Sequence, residues 1–190
     1  PIAIGGRIID DNKKLAKYVN SPETNFFKKG NNLYNLNKAR KVSNKNNEVY
    51  LVEGYMDVIK LHNNQILNCV ANLGTALTNK QMLLLGQFFS EIIICFDGDE
   101  SGYRAALRAA ENSLKFLQPE KHISFLFLPN GEDPDSFVES KGKEDFLKYS
   151  VENKIQIHKF IFNHYLNNSK KTPTELAMIE KKLSTLANSI

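Results

Sequence analysis

The residues best suited to chemistry are acids placed where short apolar runs stop. The run Val49-Tyr50-Leu51-Val52 is closed by Glu53-Gly54-Tyr55-Met56-Asp57, and Ile92-Ile93-Ile94-Cys95-Phe96 is closed by Asp97-Gly98-Asp99. A third cluster, Glu132-Asp133-Pro134-Asp135, follows another apolar stretch. Carboxylates gathered in one place raise one another's pKa unless a cation sits among them. Mg2+, with Mn2+ as its substitute, suits such a set, because this hard ion is held by few carboxylates together with substrate phosphates. The chemistry indicated is metal-dependent work on phosphate groups.

Each run is short and rich in β-branched or aromatic residues, which predicts a buried strand that delivers its acid to the carboxyl end. Helical spacing follows each run, so the strands can lie parallel, and in open α/β sheets the ligand crevice lies beyond those carboxyl ends. Strands are expected at 49–53, 67–71, 92–96 and 123–128, with helices at 55–63, from Thr78 to about Phe89 and from Ser101 to about Phe116. Before them, residues 2–9 suggest a strand bent at two glycines that pairs with a short strand around Ala16 to Val19, and Lys38 to Lys41 suggests a helix. After Asp133 the pattern is helical. A short helix starts at Pro134, an amphipathic one carries Ile157, Phe160, Ile161 and Leu166, and Thr172-Pro173-Thr174-Glu175 caps a last one. The expected class is therefore α/β, a small parallel sheet flanked by helices. A basic N-terminal α+β segment (1–47) precedes it, the sheet domain spans 48–130, and a C-terminal helical subdomain covers 131–190.

The 190 residues are 42% hydrophobic and 24% charged, the balance of an ordinary globular chain with room for one sizeable core. No apolar run approaches the length of a membrane span and no signal-peptide pattern opens the chain, which points to no membrane partner and a cytoplasmic location. The start at Pro1 and the stop inside a helical pattern suggest a piece of something longer. Cys69 and Cys95 lie in apolar segments without CxxC spacing, and His62, His122, His158 and His164 are scattered, so reduced thiols are expected and no zinc is assigned. The net charge of +4 is uneven: residues 1–47 hold ten Lys/Arg against three Asp/Glu, the remainder 15 against 18. A basic front before an acidic centre suggests a polyanion gripped at one place and a cation held at another.

Taken singly, each acidic motif has an ordinary explanation. Asp97-Gly98-Asp99 is a common turn and Asp99 can simply cap the next helix. An EF-hand is excluded, because Arg108 stands where the loop needs a glutamate. An aspartyl-phosphatase pattern leaves Glu53 and the basic front unexplained. Serine-nucleophile hydrolysis finds no histidine placed to serve Ser43, Ser90 or Ser101. Tyr55 and Tyr103 suit helix packing better than base stacking, whereas Tyr34 suits either.

Taken together, Glu53-Gly54-Tyr55-Met56-Asp57 with Asp97-Gly98-Asp99 resembles the Toprim domain shared by primases, topoisomerases and related nucleases. The flanking segments Tyr18-Val19-Asn20-Ser21-Pro22-Glu23-Thr24, Phe27-Lys28-Lys29-Gly30, Leu33-Tyr34, Leu73-Gly74-Thr75-Ala76-Leu77-Thr78 and Gly131-Glu132-Asp133-Pro134-Asp135-Ser136 resemble, in order, the catalytic core of bacterial DnaG-type DNA primases. That resemblance implies a Toprim-type sheet and a DNA-templated RNA polymerase that makes short primers for replication by two-metal-ion nucleotidyl transfer. It implies Glu53, Asp97 and Asp99 as catalytic metal-binding residues, with Asp57, Asp133 and Asp135 completing the metal site. Arg7, Lys17, Lys29 and Lys38 are implied to hold nucleotide and template phosphates. Asn31 and Asn35 depart from the arginine and glycine that related sequences often carry, which weakens phosphate grip by this loop alone. Implied partners are single-stranded DNA template, ribonucleoside triphosphates and, through a C-terminal domain absent here, a replicative helicase. Zinc is expected only in a domain absent from this chain. A nuclease or topoisomerase on the same fold, and a DNA-binding module without activity, are the rival readings.

Overall fold

A computed structural model describes residues 2–7, 18–42, 47–74, 76–188 and 190. Its frame is a five-stranded sheet built where the β-branched and aromatic runs predict strands. The N-terminal hairpin pairs β1 (Gly5–Arg7) with β2 (Tyr18–Asn20) antiparallel. Then come α1 (Leu36–Ala39), β3 (Glu48–Val52), α2 (Tyr55–Asn63), β4 (Cys69–Ala71), α3 (Asn79–Phe88), β5 (Glu91–Phe96), α4 (Glu100–Ser113) and β6 (His122–Phe127). The chain ends with α5 (Pro134–Asn153), β7 (Ile155–Gln156), α6 (Ile157–Asn167) and α7 (Pro173–Ala187). The sheet order is β4-β3-β5-β6-β7, with the first four parallel and β7 antiparallel on the β6 edge.

Alternation along the strands divides the core into two layers. Val49, Leu51, Ile92, Ile94, Phe96 and Phe125 face Met82 and Leu85 of α3, Ala106 and Ala110 of α4 and Phe160 and Ile161 of α6. Tyr50, Val52, Ile93, Cys95 and Leu126 face Val58 and Leu61 of α2 and Phe137, Val138 and Phe146 of α5. This double coverage explains why the strands read as continuous apolar runs. The small alanines of α4 let that helix lie close against the strands, while their high helix propensity supports the helix itself.

Two tertiary contacts fix the ends of the sheet. At the amino ends, Lys154 lies 2.8 Å from Glu91 and 3.9 Å from Glu48, joining the start of β3 and β5 to the end of α5. At the outer edge, the Tyr34 N–H donates to the Ala71 carbonyl at 2.9 Å, so the basic N-terminal segment is stitched to β4.

The structure departs from the pattern in two places. The helix that opens at Pro134 runs to Asn153 as two helical stretches joined at Gly142, whose φ of 80° only glycine adopts easily. Ile155–Gln156 is a fifth strand rather than the start of the amphipathic helix. No described helix is long and apolar enough to cross a membrane.

Candidate active site

The parallel register carries the acids to one end of the sheet. Leu51 pairs with Ile94, so the β3 ladder continued brings Glu53 level with Phe96, one residue before Asp97. Glu53 follows β3 directly, and Asp57 stands in the first turn of α2 with Oδ2 accepting from the Gly54 N–H at 3.0 Å. Asp97 follows β5. Asp99 caps α4, its Oδ1 accepting from the Gly102 N–H at 2.6 Å. Asp133 caps α5 in the same way, accepting from the Ser136 N–H at 2.7 Å. Both capping carboxylates use one oxygen on their helix, so capping does not exhaust either one.

Two glycines make this geometry possible. A Cβ at Gly98 would collide with the backbone carbonyls of Leu128 and Pro129, and a Cβ at Gly102 would collide with the Asp97 carbonyl. The loop after β5 therefore lies flat on the loop after β6, which brings Asp97 and Asp99 beside Asp133. The Gly98 N–H donates to the Glu132 carbonyl at 3.3 Å and holds the two loops together.

The electrostatics record the same convergence. The Glu53 carboxyl is pushed above its ordinary range first by partial removal from water, then by the charges of Asp97 and Asp99. Asp97 is raised by desolvation and by Asp133 and Asp99. Asp57, the most enclosed of these three, is pushed up to about 7, chiefly by burial and then by Asp133, Asp97 and Asp135, against the lowering effect of the Gly54 N–H. Asp97 is the hub of this like-charge network, since it bears on both Glu53 and Asp57. Glu53 and Asp99 remain exposed, so the site opens to solvent.

The set fits a hard divalent cation by its donor chemistry: carboxylate oxygens that repel one another and are held partly out of water. Among the described residues, no three Asp, Glu, His or Cys side chains are already drawn together as ligands of a single ion. Such an arrangement suits Mg2+, which takes one or two carboxylates and completes its shell with waters and substrate phosphates. Asp135 is differently engaged, with Oδ1 3.2 Å from Lys60 Nζ, and Lys60 lies equally close to Glu139.

The basic residues spread more widely. Lys29 lies in a single 3-10 turn that is pinned to the sheet domain. The buried Gln81 amide donates to the carbonyls of Lys29 (3.1 Å) and Asn32 (2.9 Å), and the Thr78 hydroxyl donates to the Gly30 carbonyl. Gln81 also accepts from the Thr78 N–H at 3.0 Å in a capping box on α3. The motif reading overlooked Gln81, and its only local signal is the Thr78–Gln81 spacing of a capping box. Lys38 lies exposed on α1, beside a cleft of about 720 Å³ that Tyr34 and Tyr55 also line. Arg7 is exposed on β1, and Lys17 lies outside the described residues. None of Arg7, Lys29 and Lys38 forms an ion pair with the six acids in the described structure. Tyr34 is 37% exposed with its ring 5.8 Å from that of Tyr55, and Tyr103 packs on Phe127 and Phe160.

A parallel sheet with a glutamate after one strand and an Asp-Gly-Asp after its neighbour defines a Toprim domain, and the family model for the Toprim domain matches residues 47–127. The model for the N-terminal domain of the DNA primase catalytic core matches residues 1–40. A DNA primase of Pseudomonas aeruginosa is 49% identical over 145 residues, covering 76% of this chain and 22% of that protein. Among solved structures, a DNA primase domain from Pseudomonas aeruginosa superposes with a TM-score of 0.92 at 40% identity, covering all of this chain and 59% of that one. A DnaG primase catalytic domain bound to single-stranded DNA gives 0.92 at 36% identity, covering 100% of this chain and 60% of that one. An Aquifex aeolicus primase, solved with its zinc-binding and RNA polymerase domains, gives 0.81 at 32% identity over 100% of this chain and 44% of that one. The chain belongs to the bacterial DnaG-type DNA primases, as part of their catalytic core. It spans between 22% and 31% of the length of the curated relatives it matches.

Proposed function

We propose that this chain is the part of a primase catalytic core that holds the metals for DNA-templated synthesis of short RNA primers. The observation that carries the reading is the single like-charge network of acids at the carboxyl ends of β3 and β5. Such a network is costly in an empty protein and becomes useful when divalent cations enter it. Glu53, Asp97 and Asp99 are the proposed catalytic ligands. Asp57 and Asp133 complete the metal site directly or through water, and Asp135 joins them once Lys60 yields.

In this reaction a primer 3′-hydroxyl bonds to the α-phosphorus of a ribonucleoside triphosphate and pyrophosphate leaves. Mg2+ or Mn2+ bound at the acids would supply Lewis-acid stabilisation of the attacking and leaving oxygens. The residues of the chain do the rest. Asp97 and Asp99 are held by the close contact of Gly98 and Gly102 with neighbouring backbone, so their carboxylates need little reorganisation. Lys29, fixed through Gln81, and the more distant Arg7, Lys17 and Lys38 oppose phosphate charge on nucleotide and template. Template grip of this kind weakens steeply with salt.

The proposal extends to the organisation of the chain: a basic segment over 1–47, the Toprim domain over 48–130 and a helical subdomain over 131–190. It extends also to single-stranded DNA as template, to a replicative helicase engaged outside residues 1–190, to zinc bound outside them, and to the cytoplasm. The test is Asp97→Asn in the full-length enzyme. It should abolish primer synthesis while melting no lower than wild type, and normal primer yield would refute the reading. DNA cleavage with Mg2+ and no nucleotides would instead favour a nuclease.

A further inference from the structure

A second cavity, of about 530 Å³, opens beside Glu53 on the α3/α4 side of the sheet. Its lining includes Glu53, Asn72, Phe96, Ala105, Arg108 and Asn112. Three features set it apart from a packing defect. Asn72, directly after β4, turns a buried Oδ1 that finds no hydrogen-bond partner in the protein. Buried acceptors are nearly always satisfied, so one left open next to a cavity calls for a donor on a ligand. Arg108, on α4, joins no ion pair among the described residues and offers five donors and a full charge. Phe96 and Ala105 supply an apolar wall, and the volume lies within the range of small-molecule sites.

A ligand with a flat apolar body, at least one hydrogen-bond donor and an anionic end, lying beside a carboxylate that holds a metal, is a nucleotide. We propose that this cavity receives the nucleoside half of the incoming ribonucleotide, with Asn72 as a specificity-determining acceptor and Arg108 facing its phosphates. The inference rests on the nucleotidyl-transfer reading, because it assigns a place to that reaction's substrate. It adds that selection of the nucleotide is made on the Toprim side, at the end of β4, and not by the basic segment alone.

The test uses the full-length enzyme with Asn72→Ala, which removes the acceptor, and Ala105→Leu, which fills the cavity without removing a polar group. Extension of a primed template by one nucleotide gives KM and kcat, and titration of Mg·ATP gives affinity apart from turnover. Both variants should melt like wild type, raise KM and weaken binding about tenfold, the effect of losing one good hydrogen bond or its space, and leave kcat within about twofold. A KM penalty for ATP but not for 2′-deoxy-ATP assigns the donor to the sugar; an equal penalty assigns it to the base. Unchanged KM and unchanged binding in both folded variants overturn the inference. If the wild-type enzyme extends no primer, the functional reading fails, and the binding arm still decides whether the cavity takes a nucleotide.

Discussion

Asp57 offers the sharpest test of the electrostatics, because its carboxyl moves from an ordinary 3.8 to about 7. A folded state that holds a proton more tightly than the unfolded state loses stability as pH rises between the two values. Below about pH 4 both states are protonated and the group is neutral in the balance; above about pH 7 the folded state carries the whole penalty. A difference of about three pH units is worth about 4 kcal/mol in full, of which about 2.6 kcal/mol falls between pH 5 and pH 8. Water still reaches part of the side chain, so about 2 kcal/mol is the expected loss over that interval. Asp57→Asn removes the charge and keeps an oxygen that can accept from the Gly54 N–H. Metal-free wild type should therefore lose about 2 kcal/mol more than the variant between pH 5 and pH 8. At this chain length that is roughly 4–8 °C in the difference of Tm. Urea or thermal melts at the two pH values, in chelator, measure it. Millimolar Mg2+ at pH 8 should erase the wild-type deficit. Identical pH slopes in the two proteins would refute the argument, since Asp57 would then ionise as easily folded as unfolded.

Other substitutions probe the frame around the acids. Gly98→Ala drives a methyl into the carbonyls of Leu128 and Pro129. It should cost about 2 kcal/mol or more in a urea melt and abolish primer synthesis by moving Asp97 and Asp99. Gln81→Leu leaves the Lys29 and Asn32 carbonyls without their donor. A loss of about 2–4 kcal/mol is expected, with faster amide exchange over 29–32 measured by mass spectrometry. Lys60→Met frees Asp135 from its ion pair at 3.2 Å. Stability should change by less than about 1 kcal/mol, because the pair is partly exposed, while Mn2+ affinity rises if Asp135 then turns to the metal.

The parallel sheet was legible because each strand announces itself twice, by a run of β-branched residues and by the acid or glycine that stops it. Thr78, Asp99, Asp133 and Thr172 all cap the helices their sequence context predicts. Ile155–Gln156 was not legible as a strand, since two residues carry no period and only the neighbouring edge of β6 makes them extended. The length of α5 was hidden by Gly142, which reads as a helix stop yet joins two helical stretches. For the site, the clustering of Glu53, Asp97 and Asp133 followed from their common place after parallel strands. The pairing of Asp135 with Lys60 and the grip of Gln81 on the Lys29 loop did not, because each joins residues far apart in the chain whose spacing encodes nothing local. The two roles of Asp99 and Asp133 show why a capping motif and a ligand motif look alike. A helix N-terminus favours the same carboxylate that a cation does.

The most direct measurement is Mn2+ binding to the full-length protein by calorimetry, with electron paramagnetic resonance as a second readout, for wild type and Asp97→Asn at pH 8. Asp97 is the hub of the acidic network, so wild type should bind with a dissociation constant below millimolar and release protons as it does, and the variant should bind at least about tenfold more weakly. Equal binding by both proteins, or none by wild type, would contradict the account.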